Sequence, residues 1–178
     1  MEWMLMPFRR YAEFSGRSRR KEYWMFALFL FLCYLVFTVL FVSLGASAIM
    51  GYGMGSEAAT AAGGGALIVL GLFAIFALAV LVPSLAVAVR RMHDIDRSGW
   101  WILLPLAAYP VQLLGLASGS VALRLLGSLV ALVLGIVVLV FYCTDGTPGP
   151  NRYGDDPKLR GTGGVGLGKA DYPGPTAY

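Results

Sequence analysis

Apolar residues in this chain form long stretches that are almost free of charge. Residues 23–44 and 66–89 contain no charged side chain, and residues 121–142 contain one, Arg124, near the start of the stretch. A helix that crosses the hydrocarbon core of a membrane needs about 20 consecutive apolar residues. Each of these stretches is long enough, so the pattern predicts three membrane-spanning helices.

The remaining apolar stretch, residues 100–117, is also uncharged, but it is shorter and contains Pro105 and Pro110. By length and composition this stretch is borderline for a span. The alternative is a re-entrant or interfacial segment, since each proline frees a backbone group that lipid cannot satisfy.

The basic residues decide between three spans and four. They lie before residue 23, between residues 90 and 97, and after residue 151, whereas the connection 45–65 has no Lys or Arg and one acid, Glu57. With four spans, all of the 14 Lys and Arg residues except Arg124 fall on one side of the membrane. The positive-inside rule makes that side cytoplasmic. We therefore predict an all-α membrane protein with four transmembrane helices, both termini in the cytoplasm (N-in/C-in) and a structured cytoplasmic face.

Composition agrees with a chain that is partly solvated by lipid, because 58% of the residues are hydrophobic, 13% are charged and the mean hydropathy is +0.71. The formal net charge is +4. Because the basic residues lie near predicted membrane boundaries, we expect the partners to be membrane lipids with anionic headgroups on the cytoplasmic leaflet, and no nucleic acid. Cys33 and Cys143 are expected at different membrane depths, which argues against a disulfide.

We divide the chain into four segments. They are a basic aromatic cytoplasmic leader (1–22), a transmembrane domain (23–142), a cytoplasmic cap loop (143–160) and a Gly-rich tail that is expected to be disordered (161–178). The connection 45–65 is rich in Gly and Ala and is expected to be a flexible loop. Ser18 is the expected N-cap of the first spanning helix.

Small residues mark one face of the last span. Gly127, Ala131 and Gly135 recur every four residues, a spacing that lets helix backbones approach closely in membranes. Small-residue faces of this kind would also allow a homo-oligomer. In the second span, Pro83 is expected to produce a kink near the cytoplasmic end.

Three charged segments stand out on the predicted cytoplasmic side, with the sequences GRSRRKEYW (16–24), RRMHDIDRSGWW (90–101) and GTPGPNRYGDDP (146–157). With the intervening spans, the chain resembles the domain of unknown function 805 family, the YhaH-like small bacterial inner-membrane proteins. The residues that carry the resemblance are Gly16, Arg17, Arg20, Glu22, Trp24, Arg90, Arg91, His93, Asp94, Ser98, Gly99, Trp100, Gly146, Asn151, Tyr153, Gly154 and Pro157. The resemblance implies this architecture and a location in the bacterial cytoplasmic (inner) membrane. It implies no reaction.

One position departs from the family pattern. Asp96 stands where glycine is expected in many relatives. Aspartate also tolerates the left-handed backbone conformation, so the departure hardly weakens the resemblance.

The segment 90–101 has a structural interpretation. If the second span continues helically past residue 89, Asp94 is four residues from Arg90 and three from Arg97, so it can pair with both. Trp100 and Trp101 would anchor the next span at headgroup level. The expected structural network comprises Glu22, Asp94, Ser98, Gly99, Trp100, Asn151 and Tyr153.

The alternative interpretation gives the charges a binding role. A basic surface would grip a lipid phosphate or a partner, because the planar guanidinium group matches phosphate oxygens. Its candidate residues are Arg17, Arg20, Arg90, Arg91 and Arg97. No catalytic site is assigned, although His93 and Asp94 are the candidates for an acid/base pair.

No metal or cofactor is expected. His93 is the only histidine in the sequence, and with Asp94 and Asp96 it supplies too few ligands for zinc. Residues 163–170 match the spacing GxxxxGK, but they lack the P-loop hydroxyl and a preceding strand, so they are not a nucleotide site.

Three classes of function remain. The first is a small binding or scaffold protein that engages anionic headgroups or a membrane partner through its charged cytoplasmic face. The second is a small transporter, lipid-moving protein or channel subunit, although no span has a central ionisable residue. The third is a membrane enzyme that acts on a phosphorylated lipid through His93 and Asp94. The sequence favours the first class.

Overall fold

The computed structural model describes residues 2–52 and 57–158, and helices account for most of this part of the chain. In order, they are α1 (Glu2–Arg9), α2 (Arg20–Tyr52), α3 (Glu57–Asp94), a 3-10 helix (Gly99–Ala108), α4 (Tyr109–Ala117) and α5 (Val121–Cys143). Within the described ranges there is no β-strand, and the only bridge joins Asn151 and Gly154. The Gly-rich tail 161–178 lies outside the described residues.

Four helical segments are long and apolar enough to cross a membrane, namely Arg20–Ile49, Ala61–Asp94, Gly99–Ala117 and Val121–Cys143. Their outward side chains are large and apolar: Phe31 is 61% exposed, Ile68 is 66% exposed and Leu125 is 66% exposed. Exposed apolar surfaces of this extent are typical of helices that contact lipid or another membrane protein. The prediction of an all-helical chain with four spans is confirmed for the described residues.

The prediction of a flexible loop over residues 45–65 is largely wrong. Helix α2 continues to Tyr52 and α3 begins at Glu57, so residues 53–56 alone in this connection lie outside the description. Alanine is the best helix former, and small residues let the two helices stay close here. A Cβ on Gly65 would lie 3.5 Å from Leu44 Cδ1. The 33 residues of α2 extend to about 50 Å, well beyond a hydrocarbon core of about 30 Å.

The third span combines a 3-10 helix and an α-helix. Residues Gly99–Ala108 wind as a 3-10 helix and continue into α4. Pro110 lies in the first turn of α4, where a missing N–H leaves no helix bond unmade. The 19 residues from Gly99 to Ala117 continue as helix and are long and apolar enough to cross a membrane, which agrees with a fourth span.

Helix α5 packs against the third span, and one glycine of the predicted small-residue stripe makes this contact. A Cβ on Gly127 would lie 2.5 Å from Gln112 Cγ, whereas a Cβ on Gly135 would have nothing within 4 Å. Within the chain, only the Gly127 end of this small-residue stripe is shown to make a close helix contact. A homo-oligomer through the remaining small residues stays a prediction.

Helix α3 continues through Pro83, which lies inside it and is fully buried. Proline has no N–H, so the carbonyl four residues earlier, that of Ala79, loses its helical donor. The hydroxyl of Tyr11 donates to Ala79 O at 2.8 Å. The leader therefore supplies the hydrogen bond that the proline removes.

Helix α1 packs on α2 by aromatic contacts. The Phe8 ring meets Phe26 edge-on with 5.4 Å between centroids, and it meets Phe29 at 5.8 Å. Phe26 is almost fully buried by these contacts. The leader is thus docked against the spanning helices.

Candidate functional site

Three charged segments meet at one end of the helices, and we call this region, residues 10–22, 90–101 and 143–158, the charged end. Its interior is unusual because it buries ionised side chains. The buried charged residues are Arg17, Glu22, Arg90, Arg91, Asp94 and Asp156. A buried charge is tolerated only when it is paired and hydrogen-bonded, so the partners of each residue define what this region does.

Arg17 joins all three segments. Its Nε donates to Asp94 Oδ1 at 3.1 Å, its Nη1 donates to Gly149 O at 2.7 Å, and its Nη2 donates to Thr147 O at 2.6 Å. All three guanidinium nitrogens are therefore used. The leader, the end of α3 and the loop after α5 are held together by one side chain.

Asp94 is the anionic centre of the region. One carboxylate oxygen, Oδ1, accepts from Arg17, and the other, Oδ2, accepts from Arg91 Nη1 at 2.7 Å. The Thr147 N–H donates to the backbone oxygen of Asp94 at 2.9 Å. A Cβ on Gly146 would lie within 2.6 Å of both carboxylate oxygens, which explains why glycine is needed there.

The predicted partners of Asp94 were wrong. Arg90 pairs with Glu22 and not with Asp94, at 3.0 Å between Nη2 and Oε1. Arg97 also has no ion pair with Asp94 within the described chain. Asp96 adopts a left-handed conformation with φ 57° directly after α3, so the chain turns and Arg97 leaves the helical register.

Arg91 links α3 to the end of α5. Its Nε donates to Tyr142 O at 3.3 Å, and its Nη2 donates to Thr144 O. A guanidinium group suits this position, because the last carbonyls of a helix lack donors and carry partial negative charge.

Arg90 is fully buried, but it is less completely paired. Its Nη2 contacts Glu22, and its Nη1 lies 3.8 Å from Glu13 Oε2. Arg10 holds Glu13 through Nε and Nη2 at 2.6 and 2.5 Å. These hydrogen bonds keep the pKa of the Glu13 carboxyl below its usual value and raise the pKa of the Arg10 guanidinium.

Ser18 does not cap α2, and that prediction was wrong. Helix α2 begins at Arg20, two residues later, and the Ser18 N–H donates to Arg90 O at 3.1 Å. The Ser18 hydroxyl is buried without a hydrogen-bond partner among the described residues.

His93 and Asp94 do not share partners. The His93 ring stacks on Tyr153 with 3.8 Å between centroids and an angle of 3°, and its Nδ1 lies 3.2 Å from Gly16 O. Asn151 Nδ2 donates to His93 O at 2.9 Å. The predicted network residues Asn151 and Tyr153 thus hold the loop after α5 against the end of α3.

The remaining predicted residues lie nearer the surface. Arg20 is partly exposed and contacts Cys143 O and Asp145, each at 2.9 Å. Arg97 is exposed and lies over two aromatic rings, 5.2 Å from the Trp101 centroid and 5.1 Å from that of Phe141.

The predicted motif Ser98-Gly99-Trp100 has mixed roles. A Cβ on Gly99 would lie 2.8 Å from Val89 Cγ1, so Gly99 is needed for close packing. Ser98 precedes the 3-10 helix without a side-chain capping bond. Trp100 is 78% exposed, so its side chain lies outside the buried network in which the sequence placed it.

Sequence reasoning missed three contributors to the charged end. Thr147 and Gly149 supply backbone carbonyls to Arg17, and Glu13 approaches Arg90. Backbone acceptors leave no compositional signal. Glu13 did leave one, because it is an acid three residues after Arg10 in a basic leader.

Metal chemistry has no obvious ligand set here. In the parts of the chain that the structure describes, no group of three or more His, Cys, Asp or Glu side chains could hold a metal ion. The arrangement instead suits ion pairing and the recognition of anions.

Comparisons with known proteins agree with this architecture. The family model described as "Protein of unknown function (DUF805)" matches residues 11–155, which include nearly all of the charged end. The inner membrane protein YhaI of Escherichia coli (strain K12) is 36% identical over 159 residues, which cover 89% of this chain and 98% of the relative. The inner membrane protein YhaH of the same strain is 34% identical with the same coverage. No solved structure matches.

Proposed function

The chain belongs to the DUF805 family of proteins of unknown function, and we propose that it is a membrane scaffold that binds anionic lipid headgroups through its charged end. Its relatives are inner membrane proteins, and four of its helices can span a membrane. We place both termini in the cytoplasm, because every basic residue in the described ranges except Arg124 belongs to the leader or the charged end.

The observation that supports headgroup binding is a division among the basic residues. Arg17 and Arg91 donate inward and are buried, so they stabilise the fold. Other cations lie on the outside against aromatic rings. We call this outer set the basic rim, and it consists of Arg19 and Lys21 beside Trp3 and of Arg97 beside Trp101 and Phe141.

The basic rim combines two properties that suit a membrane boundary. Tryptophan and other aromatic rings are favoured at headgroup level, and each Lys or Arg near an anionic membrane surface contributes about 1 kcal/mol of attraction. Of the five predicted headgroup ligands, Arg97 fits this arrangement, while Arg17 and Arg91 serve the interior instead.

The other two classes have less support. The described spans carry no charged side chain in their middle regions, where transport pathways often place one. For an enzyme, Asp94 is enclosed by Arg17, Arg91 and Gly146, so it is poorly placed to exchange a proton with His93 or with a lipid.

Native mass spectrometry can test headgroup binding. The protein is extracted in mild detergent from membranes that contain phosphatidylglycerol and phosphatidylethanolamine. A Lys21→Gln/Arg97→Gln variant should bind phosphatidylglycerol about 30-fold more weakly than the wild type, since two rim charges worth about 1 kcal/mol each are lost. Arg124→Gln is the control, because Arg124 is exposed at the opposite end. Equal retention by all three proteins would contradict the proposal.

A further inference from the structure

Arg90 differs from the other two arginines buried in the charged end. Its side chain is fully buried, yet its Nε and Nη1 have no hydrogen-bond partner among the residues that the structure describes. Arg17 and Arg91 use all three of their nitrogens. A buried guanidinium with unused donors is costly, so an acceptor is needed at this part of the Arg90 side chain.

The unused donors lie near a partly exposed acid. Glu22 contacts Nη2 of Arg90, whereas Glu13 Oε2 is 3.8 Å from Nη1, which is too long for a hydrogen bond. Glu13 is 43% exposed, and its partner Arg10 is 32% exposed. The Arg10–Glu13 pair therefore lies between the Arg90 Nη1 atom and a partly solvent-exposed surface.

Other groups at this place also suit an anion. The charges that act on Arg90 are those of Glu22, Arg10 and Glu13. Without Glu13, the sum of Arg10, Arg90 and Glu22 is one positive charge. Ser18 lies beside the same turn of α3 through its bond to Arg90 O, and its buried hydroxyl is also unpartnered within the described chain.

We propose that Arg90 and Arg10 form a binding site for a phosphate group, and that Glu13 occupies this site until the phosphate displaces it. Phosphate offers several acceptor oxygens to planar guanidinium groups. Its binding would give Nη1 of Arg90 an acceptor and would replace Glu13 as the partner of Arg10. A lipid headgroup and free inorganic phosphate present the same chemistry. The lipid form of this inference rests on the proposed function.

The test measures how phosphate raises the melting temperature of the full-length protein. One arm adds inorganic phosphate in detergent, against chloride at equal ionic strength. The other compares nanodiscs of phosphatidylglycerol with nanodiscs of phosphatidylcholine. A response to inorganic phosphate identifies free phosphate as sufficient, and a response confined to phosphatidylglycerol identifies an anionic lipid.

Two exposed substitutions should move the response in opposite directions. Glu13→Gln removes the competing carboxylate and should tighten the apparent affinity about tenfold, since a like charge beside the ligand is lost. Arg10→Gln should weaken it by a similar factor. Glu57→Gln is the control, because Glu57 is an exposed acid at the opposite end of α3, and it should respond as the wild type does.

The readout is the ligand-dependent shift of each variant, converted to a stabilisation free energy and measured against the same protein without ligand. Equal shifts for wild type, Glu13→Gln and Arg10→Gln would overturn the site. If the rim variant retains lipid normally while Glu13→Gln still gains affinity for inorganic phosphate, the rim proposal fails and the phosphate site stands. If the rim variant loses its lipid but Glu13→Gln leaves the phosphate affinity unchanged, the phosphate site is refuted and the rim proposal stands.

Discussion

Two of the three buried arginines of the charged end, Arg17 and Arg91, act chiefly as hydrogen-bond donors to the backbone. Arg17 and Arg91 share one carboxylate, that of Asp94, and most of their remaining bonds go to carbonyl oxygens, such as those of Thr147 and Gly149. Carbonyl dipoles thus offset the positive charge that a single aspartate leaves unpaired. The buried charges are therefore satisfied only in the folded protein, because each backbone acceptor is correctly placed only when its segment is folded.

Asp94→Asn should therefore destabilise the protein strongly. The substitution leaves two buried arginines short of their counter-charge, and the expected cost is about 3 kcal/mol. His93→Gln should cost within about 1 kcal/mol, since His93 makes a surface-side stack and one polar contact. Thermal unfolding in detergent measures both.

Asp96→Asn is the matched control for this comparison. Asp96 is exposed, pairs with the exposed Arg152 and tolerates replacement by Asn in its left-handed conformation, so the loss should stay below about 1 kcal/mol. A stable, abundant His93→Gln protein that has lost its cellular role would favour the enzyme hypothesis over a structural one.

At the residue scale, the sequence predicted the members of the network better than their pairing. Residues three and four apart are both neighbours on a helix, so Asp94 could have faced Arg90 or Arg91. The choice depends on Glu22, which lies 68 positions before Arg90 in the chain and attracts it across the α2–α3 contact. Local spacing carries no information about such a partner.

At the scale of elements, the leader supplies a hydrogen-bond donor that α3 lacks at Pro83. Pro83 leaves the Ala79 carbonyl without its helical N–H, and the Tyr11 hydroxyl replaces that donor at 2.8 Å. An unpaired carbonyl is costly where water is scarce. The contact therefore fixes where the leader docks on α3.

Tyr11→Phe removes this hydrogen bond and should cost about 1 kcal/mol. In a Pro83→Ala background, residue 83 regains its N–H and can donate to Ala79 O, so Tyr11→Phe should then cost close to nothing. A double-mutant cycle of thermal stability in detergent measures the difference. Equal costs in both backgrounds would show that the proline and the tyrosine are not coupled.

Sequence reasoning predicted the helices but underestimated the lengths of α2 and α3. The run of three glycines at 63–65 is typical of a loop in water, yet it lies inside α3. The α2–α3 contact continues along this run, and Gly65 lies beside the Leu44 side chain. By contrast, the length of the apolar stretches predicted three of the four spans, and the distribution of basic residues predicted the fourth.

At the scale of the whole molecule, the charge asymmetry makes a prediction about topology. Alkaline phosphatase, which is active only outside the cytoplasm, should be active when inserted between α2 and α3 and inactive when fused after Pro157. The physical reason is that basic residues resist translocation across the membrane. A fluorescent protein that matures in the cytoplasm should give the opposite pattern. Phosphatase activity at the C-terminal fusion would place the charged end on the other side.

The long reach of Arg17 has a consequence for how the protein is made. Its acceptors at Thr147 and Gly149 follow it by 130 and 132 residues, so they leave the ribosome only after the last span has been synthesised. Until then, Arg17 can pair with Asp94, but its Nη1 lacks the acceptors that the loop after α5 supplies, so an interrupted chain keeps an unpaired donor at this end of the helices. Closure of this region is thus a late step of biogenesis, and it distinguishes a finished polypeptide from one that cellular quality control should remove.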